Sequence, residues 1–410
     1  MAEEGKKKRK KAIKLPAFLA VDFFCGAGGT TRGLIDAGGY VIAGVDKDTA
    51  CEKTYTENNP NDFLDYSTPR FLEYDIFPAT DTYPEGQQSE LFDELEELIN
   101  FYRAKVPGVP LFFAICAPCQ PFTTVSKKAL TEKRSEGRKR DQNLLTEAAK
   151  FVERFKPELV LSENVRGIGD PKYGGIWDDF QERLRDLEYA IGSKVVCASK
   201  FGIPQYRKRS ILLAVHSDRI LKDRFIDAQE NELTVPSSDP DSPMVTVKEA
   251  IDHLPTIGAG MTDPKVPNHK TRTLNELNLK RISCAKPGET NKYLLDTAFG
   301  DLSLSCHKKV NARLEQRCFN DVYTRMSPDK PSPTITTKCY SISNGRFGHY
   351  DTTQDRGISL REAALLQSFP DDYIFYPKDV IGPVGRMIGN AVPPKLAEFY
   401  ARYLTGTLDG

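Results

Sequence analysis

The run Ala114-Ile115-Cys116-Ala117-Pro118-Cys119-Gln120-Pro121-Phe122-Thr123 places two thiols at the end of an apolar stretch. Residues 111–115 read as a short buried strand, an unbroken apolar run after Pro107, Gly108 and Pro110 that Pro118 stops. A thiol on the loop leaving a strand lies where open α/β sheets bind their ligands. Cysteine, with a pKa of about 8.5, is mostly protonated at neutral pH, yet its thiolate is a strong nucleophile. Cys119, flanked by Pro118, Gln120 and Pro121, is therefore a candidate for covalent catalysis. Cys116, among apolar neighbours, better suits a buried small hydrophobe. The C-x-x-C spacing also admits a redox pair or half of a zinc site. Zinc would need a second ligand pair, and neither the other cysteines nor the five histidines offer one at ligand spacing, so no metal is expected. A thioredoxin-like site belongs near the start of a compact domain of about 100 residues, a position this pair does not occupy.

Further groups converge on similar positions. Glu163-Asn164-Val165 closes another apolar run, so a carboxyl is expected at the sheet edge that carries Cys119. A buried carboxyl there can deliver a proton at neutral pH; a helix-cap neighbour and an ion-pair partner are the alternatives. Gln205-Tyr206-Arg207-Lys208-Arg209 adds guanidinium groups suited to phosphate or to a developing anion. Asp22-Phe23-Phe24-Cys25-Gly26-Ala27-Gly28-Gly29 follows a strand and precedes a helix, where glycines let the backbone approach a cofactor. The spacing is not the G-x-G-x-x-G of dinucleotide sites, since Arg32 stands where a third glycine would fit and Gly33 comes one later. Asp46, ending a second strand, can accept from ribose hydroxyls. Asp75 can accept from an adenine amino group or simply form a turn. Gly389-Asn390-Ala391-Val392-Pro393-Pro394 is a rigid loop, more elaborate than a connection needs, and is expected to line a site.

These groups need a scaffold, and strand and helix signals alternate from Phe18 onward. Strands are expected over 18–24, 40–45, 111–115, 159–161, 194–198 and 210–215. Helices are expected over 30–37, through Lys53, along the face Leu91-Leu95-Leu98-Tyr102, along Leu144-Ala148-Phe151-Phe155, and over 176–187. Such βαβ units build an α/β, Rossmann-like, mostly parallel sheet with helices on both faces. Beyond His216 the pattern breaks into Pro-, Asp-, Ser-, Thr- and Asn-rich sequence without a long periodic helix, read as a smaller irregular β-containing domain. Regular signals return over 359–367 and 394–404, the latter opened by prolines. The expected organisation is a basic, disordered arm over 1–17, a catalytic domain over 18–216, an inserted domain over 217–355, and a segment over 356–410 returning to the first.

The 410 residues suffice for two domains, and 39% hydrophobic with 28% charged residues is ordinary for a soluble globular chain. Apolar runs fall short of the roughly 18 residues of a membrane span, and no apolar signal core opens the chain, so no membrane is expected. Nine cysteines without framework spacing fit reduced thiols in the cytoplasm. Net charge is zero, but the distribution is uneven. Lys6 to Lys11 form a basic arm, and Lys127, Lys128, Lys133, Arg134, Arg138, Lys139 and Arg140 follow closely on Cys119. Arg207-Lys208-Arg209 is a third basic run, while acids gather on the helix carrying Glu90, Asp93, Glu94, Glu96 and Glu97. Basic clusters beside a nucleophile point to a polyanionic substrate.

Taken in order, Phe24-Cys25-Gly26-Ala27-Gly28-Gly29, Pro118-Cys119-Gln120, Glu163-Asn164-Val165, Gln205-x-Arg207-x-Arg209, Arg361-Glu362-x4-Gln367-Ser368-Phe369-Pro370 and Gly389-Asn390-Ala391-Val392-Pro393-Pro394 span nearly the whole chain. The sequence resembles the S-adenosylmethionine-dependent DNA (cytosine-5)-methyltransferases of the prokaryotic modification-methylase type. The resemblance implies that Cys119 attacks C6 of cytosine, that Glu163 hydrogen-bonds and protonates N3, and that Arg207 and Arg209 hold the base and its neighbours. It places Phe24 on the adenine of S-adenosyl-L-methionine, Asp46 on the ribose, and Asp75 with Ile76 at the adenine. Gly26, Ala27, Gly28, Gly29 and Pro118 would surround the cofactor, and Asn390 and Val392 would close its pocket. Lys47 follows the ribose acid where the family often has an aromatic or aliphatic residue. Gln120, Thr123, Lys127, Lys128, Arg138, Lys139 and Arg140 would meet DNA. Implied partners are double-stranded DNA and a cognate restriction endonuclease acting on the same site without a stable complex; the chain itself would be a monomer in the cytoplasm.

The chemistry is coherent. C5 of cytosine is a poor nucleophile, and thiolate addition at C6 with protonation at N3 turns it into an enamine carbon. A duplex buries that atom, so the base must be flipped out at a cost of a few kcal/mol. The loop over 127–140, with Gly137, fits a segment closing over DNA. The inserted domain would read the major groove. Within it, residues 331–337 and Gly345-Arg346-Phe347 read as a strand and turn against the substrate, or as an ordinary surface hairpin. An RNA (tRNA) cytosine methyltransferase is the first rival, disfavoured by so long an insert. A catalytically inactive DNA-binding relative is the second, disfavoured by Cys119, Glu163 and Arg207 together. A redox dinucleotide enzyme lacks a hydride-handling pair.

Overall fold

The computed structural model describes residues 15–63, 67–118, 141, 143–171, 175–219, 226–227, 232–304, 320–378 and 380–408. Cys119, Gln120, Thr123, the basic stretch 127–140 and residues 1–14 of the N-terminal arm lie outside the described residues. Elements run β1 (Leu19–Phe23), α1 (Gly29–Asp36), β2 (Tyr40–Asp46), α2 (Glu52–Asn58), β3 (Arg70–Glu73), α3 (Gln88–Lys105) and β4 (Leu111–Ile115). They continue through α4 (Leu144–Phe155), β5 (Leu159–Val165), α5 (Ile176–Asp186), β6 (Tyr189–Cys197), β7 (Gln205–Tyr206) and β8 (Lys208–His216). One sheet takes the order β3-β2-β1-β4-β5-β8-β6. β3, β2, β1, β4 and β5 are parallel, whereas β8 lies antiparallel between β5 and β6. This is the Rossmann-like, mostly parallel sheet that the alternation implies.

Every residue of β1 and β4 is buried, as continuous apolar runs require when both sheet faces are covered. Phe23, Phe113, Leu91, Leu95, Phe151 and Trp177 join the sheet to α3, α4 and α5 on one face. Phe18, Phe112, Leu34 and Leu161 meet Leu396, Tyr400 and Leu404 of the final helix on the other. Burying each large side chain contributes about 1.5–3 kcal/mol. β6 starts at Tyr189, earlier than the expected 194, because the exposed Ser193 and Lys194 break its apolar pattern without breaking its pairing to β8.

The remaining elements are β9 (Ile226–Asp227), β10 (Glu232–Leu233), α6 (Val247–Ile251), α7 (Glu276–Ser283), β11 (Ser332–Pro333), α8 (Leu360–Leu366), α9 (Ile381–Asn390) and α10 (Pro394–Thr405). A Ser359–Glu362 capping box opens α8, and Pro394 sits in the first turn of α10. The expectation that Gly389 and Asn390 belong to a loop is corrected, since both close α9. A Cβ at Gly385 would lie 2.5 Å from the Tyr340 ring, and one at Gly389 2.3 Å from the backbone of Thr336 and Thr337. Contact, not chain reversal, requires them.

The described residues of the irregular region pair in short two-residue strands, β9 with β10 and β11 with β7, and buried side chains knit them together. The buried Arg325 guanidinium donates to the carbonyls of Ile282, Ala285, His349, Asp351 and Gln354, and pairs with Asp355 at 2.5 Å. The stretch 331–337 is not a surface hairpin: Ser332 and Pro333 pair in parallel with Gln205 and Tyr206, and Ile335 is fully buried. Met326, Ile335, Phe347 and Ile358 share one core with α8 and α9. Among the described residues no helix is long and apolar enough to cross a membrane.

Candidate active site

Three neighbouring strand ends build the site. β4 delivers Cys116, Ala117 and Pro118; β5 delivers Glu163; β8, paired so that Arg209 lies opposite Val165, delivers Arg209. Ser162 and Asn164 brace this edge from within β5. Ser162 Oγ donates to the Ile115 carbonyl at 2.6 Å and Asn164 Nδ2 to that of Ala117 at 3.1 Å. Both grip the backbone leading to Cys119, and the only trace of them in the sequence is two polar residues at the end of an apolar strand.

A cavity of 340 Å³ opens at this edge. Its walls include Phe24, Gly26, Ala27, Gly29, Asp46, Lys47, Pro118, Glu163, Arg207, Arg209, Asn390 and Val392, all expected site residues. A smaller lobe of 70 Å³ adds Asp75 and Ile76 while sharing Phe24, Asp46, Lys47 and Pro118. Gly28 lines neither; at φ +87 it caps α1, and a Cβ there would meet Asn59 and Tyr373 at 2.5 and 2.7 Å. Cys51, Thr30, Pro383, Arg386 and Met387 also line the main cavity, and no motif spacing marked them.

The glycine turn is strained and anchored. Phe24 takes φ +61, a left-handed conformation costing a side-chain-bearing residue on the order of 1–2 kcal/mol. The strain turns Phe24 toward both lobes. Asp46 fixes the turn from β2: its Oδ2 accepts from the Gly26 N–H at 2.9 Å and its Oδ1 from the Asp48 N–H at 2.9 Å. Burial nonetheless raises the Asp46 pKa above the usual carboxylate value. Beneath it, burial lifts Asp22 to about 7, although Oδ2 accepts from the Thr31 hydroxyl at 2.7 Å. Burial, then Glu163 and Asp22, push the Cys116 thiol well above its ordinary value, which leaves it a poor nucleophile.

Asp75 is already engaged: it accepts from Tyr83 Oη at 2.6 Å and the Phe77 N–H at 3.1 Å, and Lys47 Nζ lies 3.5 Å away. Lys47 therefore reaches the smaller lobe through Asp75. Glu163 Oε1 stands 2.9 Å from Arg209 Nε, an ion pair with both side chains about one-tenth exposed. Arg207, expected with Arg209 to hold the base and its active-site neighbours, lines the same cavity. Its guanidinium donates to the carbonyls of Ile335 at 3.1 Å and Ala391 at 3.2 Å, so it clamps one wall of the cavity. Among the described residues no group of three or more His, Cys, Asp or Glu is placed to hold a metal.

Comparison with known proteins supplies a family and a shared fold. The family model for C-5 cytosine-specific DNA methylase matches residues 18–405. The type II methylase M.HgiDII of Herpetosiphon aurantiacus is 33% identical over 392 residues, covering 95% of this chain and 96% of that protein. The type II methyltransferase M.DdeI of Desulfomicrobium norvegicum is 27% identical, covering 94% and 88%. A solved structure of an E. coli prophage-encoded protein, assigned as a DNA modification methyltransferase, shares the fold with a TM-score of 0.65 at 21% identity, covering 95% and 99%.

Proposed function

The chain belongs to the C-5 cytosine-specific DNA methylase family, and from that premise we propose that it methylates a specific cytosine of duplex DNA through a flipped-out base and a covalent Cys119 adduct. The observation that carries this reading is one cavity with the Glu163–Arg209 pair on one wall and Phe24, Gly26 and Asp46 on the other. S-adenosyl-L-methionine, the methyl donor, fits the residues present. Phe24 offers an aromatic face, Asp46 keeps acceptor capacity beyond its two backbone bonds, and a Cβ at Gly26 would point into open space. When bound, the cofactor supplies an electrophilic methyl group.

The chain's own groups then divide the work. Cys119, as thiolate, bonds C6 of cytosine, while Glu163 donates its proton to N3, so C5 gains electron density. Arg209 holds the Glu163 carboxyl in place and balances the charge left on it after transfer. After C5 takes the methyl group, its own proton leaves to a base, the C6–S bond breaks, and N3 returns its proton. Enclosing the flipped base between these walls excludes water from the addition step. Arg207 shapes the pocket, keeping Asn390 and Val392 at its edge.

Gln120, Thr123, Lys127, Lys128, Arg138, Lys139 and Arg140 belong to the DNA-facing edge in this reading, and base identity is read from the region 217–355. The type II relatives support a modification role; the reading extends to a cytoplasmic monomer acting beside a restriction endonuclease that shares the site. Incubation with methyl-labelled S-adenosylmethionine and either duplex DNA or tRNA tests the substrate class. Label entering duplex DNA at C5 of cytosine is expected; label entering tRNA alone would overturn the reading.

A further inference from the structure

Two fully buried glutamines link the cofactor wall to the irregular region. Gln205 Nε2, at β7, donates to Gln367 Oε1 at 2.7 Å and to the Leu366 carbonyl at 3.2 Å. Its Oε1 accepts the Ile335 N–H at 2.8 Å. Gln367 Nε2 donates to the carbonyls of Ile388 at 2.6 Å and Ala391 at 3.4 Å, the last turn and exit of α9. Every polar atom of the pair is thus used, and the bonds tie β7 to three segments: the end of α8, Ile335 and, through Gln367, the end of α9. Arg207 doubles the link by donating to both Ile335 and Ala391.

The two backbones so joined also touch. The Thr336–Thr337 peptide lies so near Gly389 that a Cβ would sit 2.3 Å from it. There is no compressible side chain between them, so a shift of one segment is a shift of the other. On one side of this joint, Asn390 and Val392 line the 340 Å³ cavity. On the other, the chain runs through Tyr340 and Ile342 into the cluster with Ile282, Tyr323 and the Arg325 hub.

We infer that Gln205 and Gln367 are positioning residues that couple occupancy of the cofactor cavity to engagement of DNA by the irregular region. The inference rests on the proposed function for the identity of both ligands. Its physical content is a coupling free energy, which must be reciprocal: whatever factor DNA adds to cofactor affinity, cofactor adds to DNA affinity. Gln367 acts on the cavity directly through Ile388 and Ala391. Gln205 acts by making the joint continuous with Ile335.

The test is calorimetric titration of S-adenosylhomocysteine into the full chain, with and without a saturating duplex whose methylated site bisulfite mapping has identified. For the native protein, the duplex is expected to tighten binding by at least about fivefold, the low end of ordinary allosteric coupling. Gln367→Met is expected to weaken binding without DNA by about tenfold, one 1.4 kcal/mol step, and to bring the ratio below about twofold. Gln205→Met is expected to collapse the ratio in the same way. If either fails to fold, Gln367→Glu serves, since it still accepts from Gln205 but loses both donors. A native ratio of one, or folded variants that keep the native ratio, would overturn the inference while methylation of DNA stood. Should the native protein fail to methylate DNA, the parent reading falls, and unchanged cofactor affinity in Gln367→Met would separately remove the positioning role.

Discussion

Arg209 Nε and Glu163 Oε1 lie 2.9 Å apart on the antiparallel neighbours β8 and β5, with side chains 11% and 10% exposed. Burying a carboxyl this deeply is tolerable because its counter-charge is supplied by the next strand. Glu163→Gln preserves shape and burial but removes the transferable proton. Methylation is expected to slow by about 10²–10⁴-fold, the usual range for losing a general acid, and the urea midpoint to fall because the buried Arg209 charge loses its counter-ion. Arg209→Ala is expected to slow methylation as well, because the Glu163 carboxyl is no longer held, and to destabilise the fold by about 3 kcal/mol because a buried charge loses its partner. Urea unfolding of both variants alongside their rates checks the assignment.

Gly29 opens α1 against the loop after α9, where a Cβ would come within 2.4 Å of the Val392 carbonyl. Gly29→Ala must therefore push that carbonyl away and deform the cavity. Affinity for S-adenosylhomocysteine is expected to fall more than tenfold, or about 1.4 kcal/mol, while the circular dichroism stays native. Unchanged affinity would show that the loop yields freely.

Asp46 grips the glycine turn with a carboxylate whose pKa burial has raised. Protonation removes acceptor capacity, so cofactor affinity is expected to decline as pH falls, starting above the pH where an ordinary Asp of pKa about 3.9 would act. Asp46→Asn should be weaker at neutral pH and flat across that range. Titration at several pH values distinguishes the two curves.

Stability should respond to pH through groups of opposite sign. Asp22 titrates near 7 in the fold against an ordinary 3.8, so its contribution is present below 3.8 and is lost as pH rises through 7. His349, lowered by burial to about 4 from 6.5, contributes stability above 6.5 that is lost as pH falls toward 4. Glu362, also buried, is held near 2 by Arg356 against an ordinary 4.5, so its contribution is present above 4.5 and lost on the approach to 2. Each shifted group changes stability by up to about 1.4 kcal/mol per pH unit inside its window. Asp22→Asn is therefore expected to raise the melting temperature more at pH 8 than at pH 5, which thermal unfolding at both values would show.

The sheet was legible because β1, β2, β4 and β5 are buried on both faces and read as largely apolar runs, interrupted in β1 by Asp22 and turning polar near the ends of β2 and β5. The cavity was legible because its walls come from strand ends and a glycine turn, where local sequence dictates local shape. What stayed hidden depends on contacts between distant segments. Nothing near Arg325 in sequence announces a guanidinium that satisfies five carbonyls, and α9 contains glycines whose purpose appears only beside Thr336 and Tyr340. Arg207 is visible in the sequence as a cation, whereas the donation of its Nη1 and Nη2 to the carbonyls of Ile335 and Ala391 appears only in the tertiary structure. Glutamine at 205 and 367 gave no sign of pairing, because an amide's partner is set by tertiary approach rather than by spacing.

The central claim is a covalent bond between Cys119 and C6 of the target cytosine. Replacing that cytosine with 5-fluorocytosine in a cognate duplex blocks release, because C5 then has no proton to lose, and the adduct should accumulate in the presence of S-adenosylmethionine. Denaturing electrophoresis followed by mass spectrometry of the cross-linked peptide is the measurement. The native chain and Cys116→Ala are expected to give a denaturant-stable complex mapped to Cys119, and Cys119→Ala to give none. A stable complex surviving in Cys119→Ala, or methyl transfer to DNA by that variant, would contradict the account.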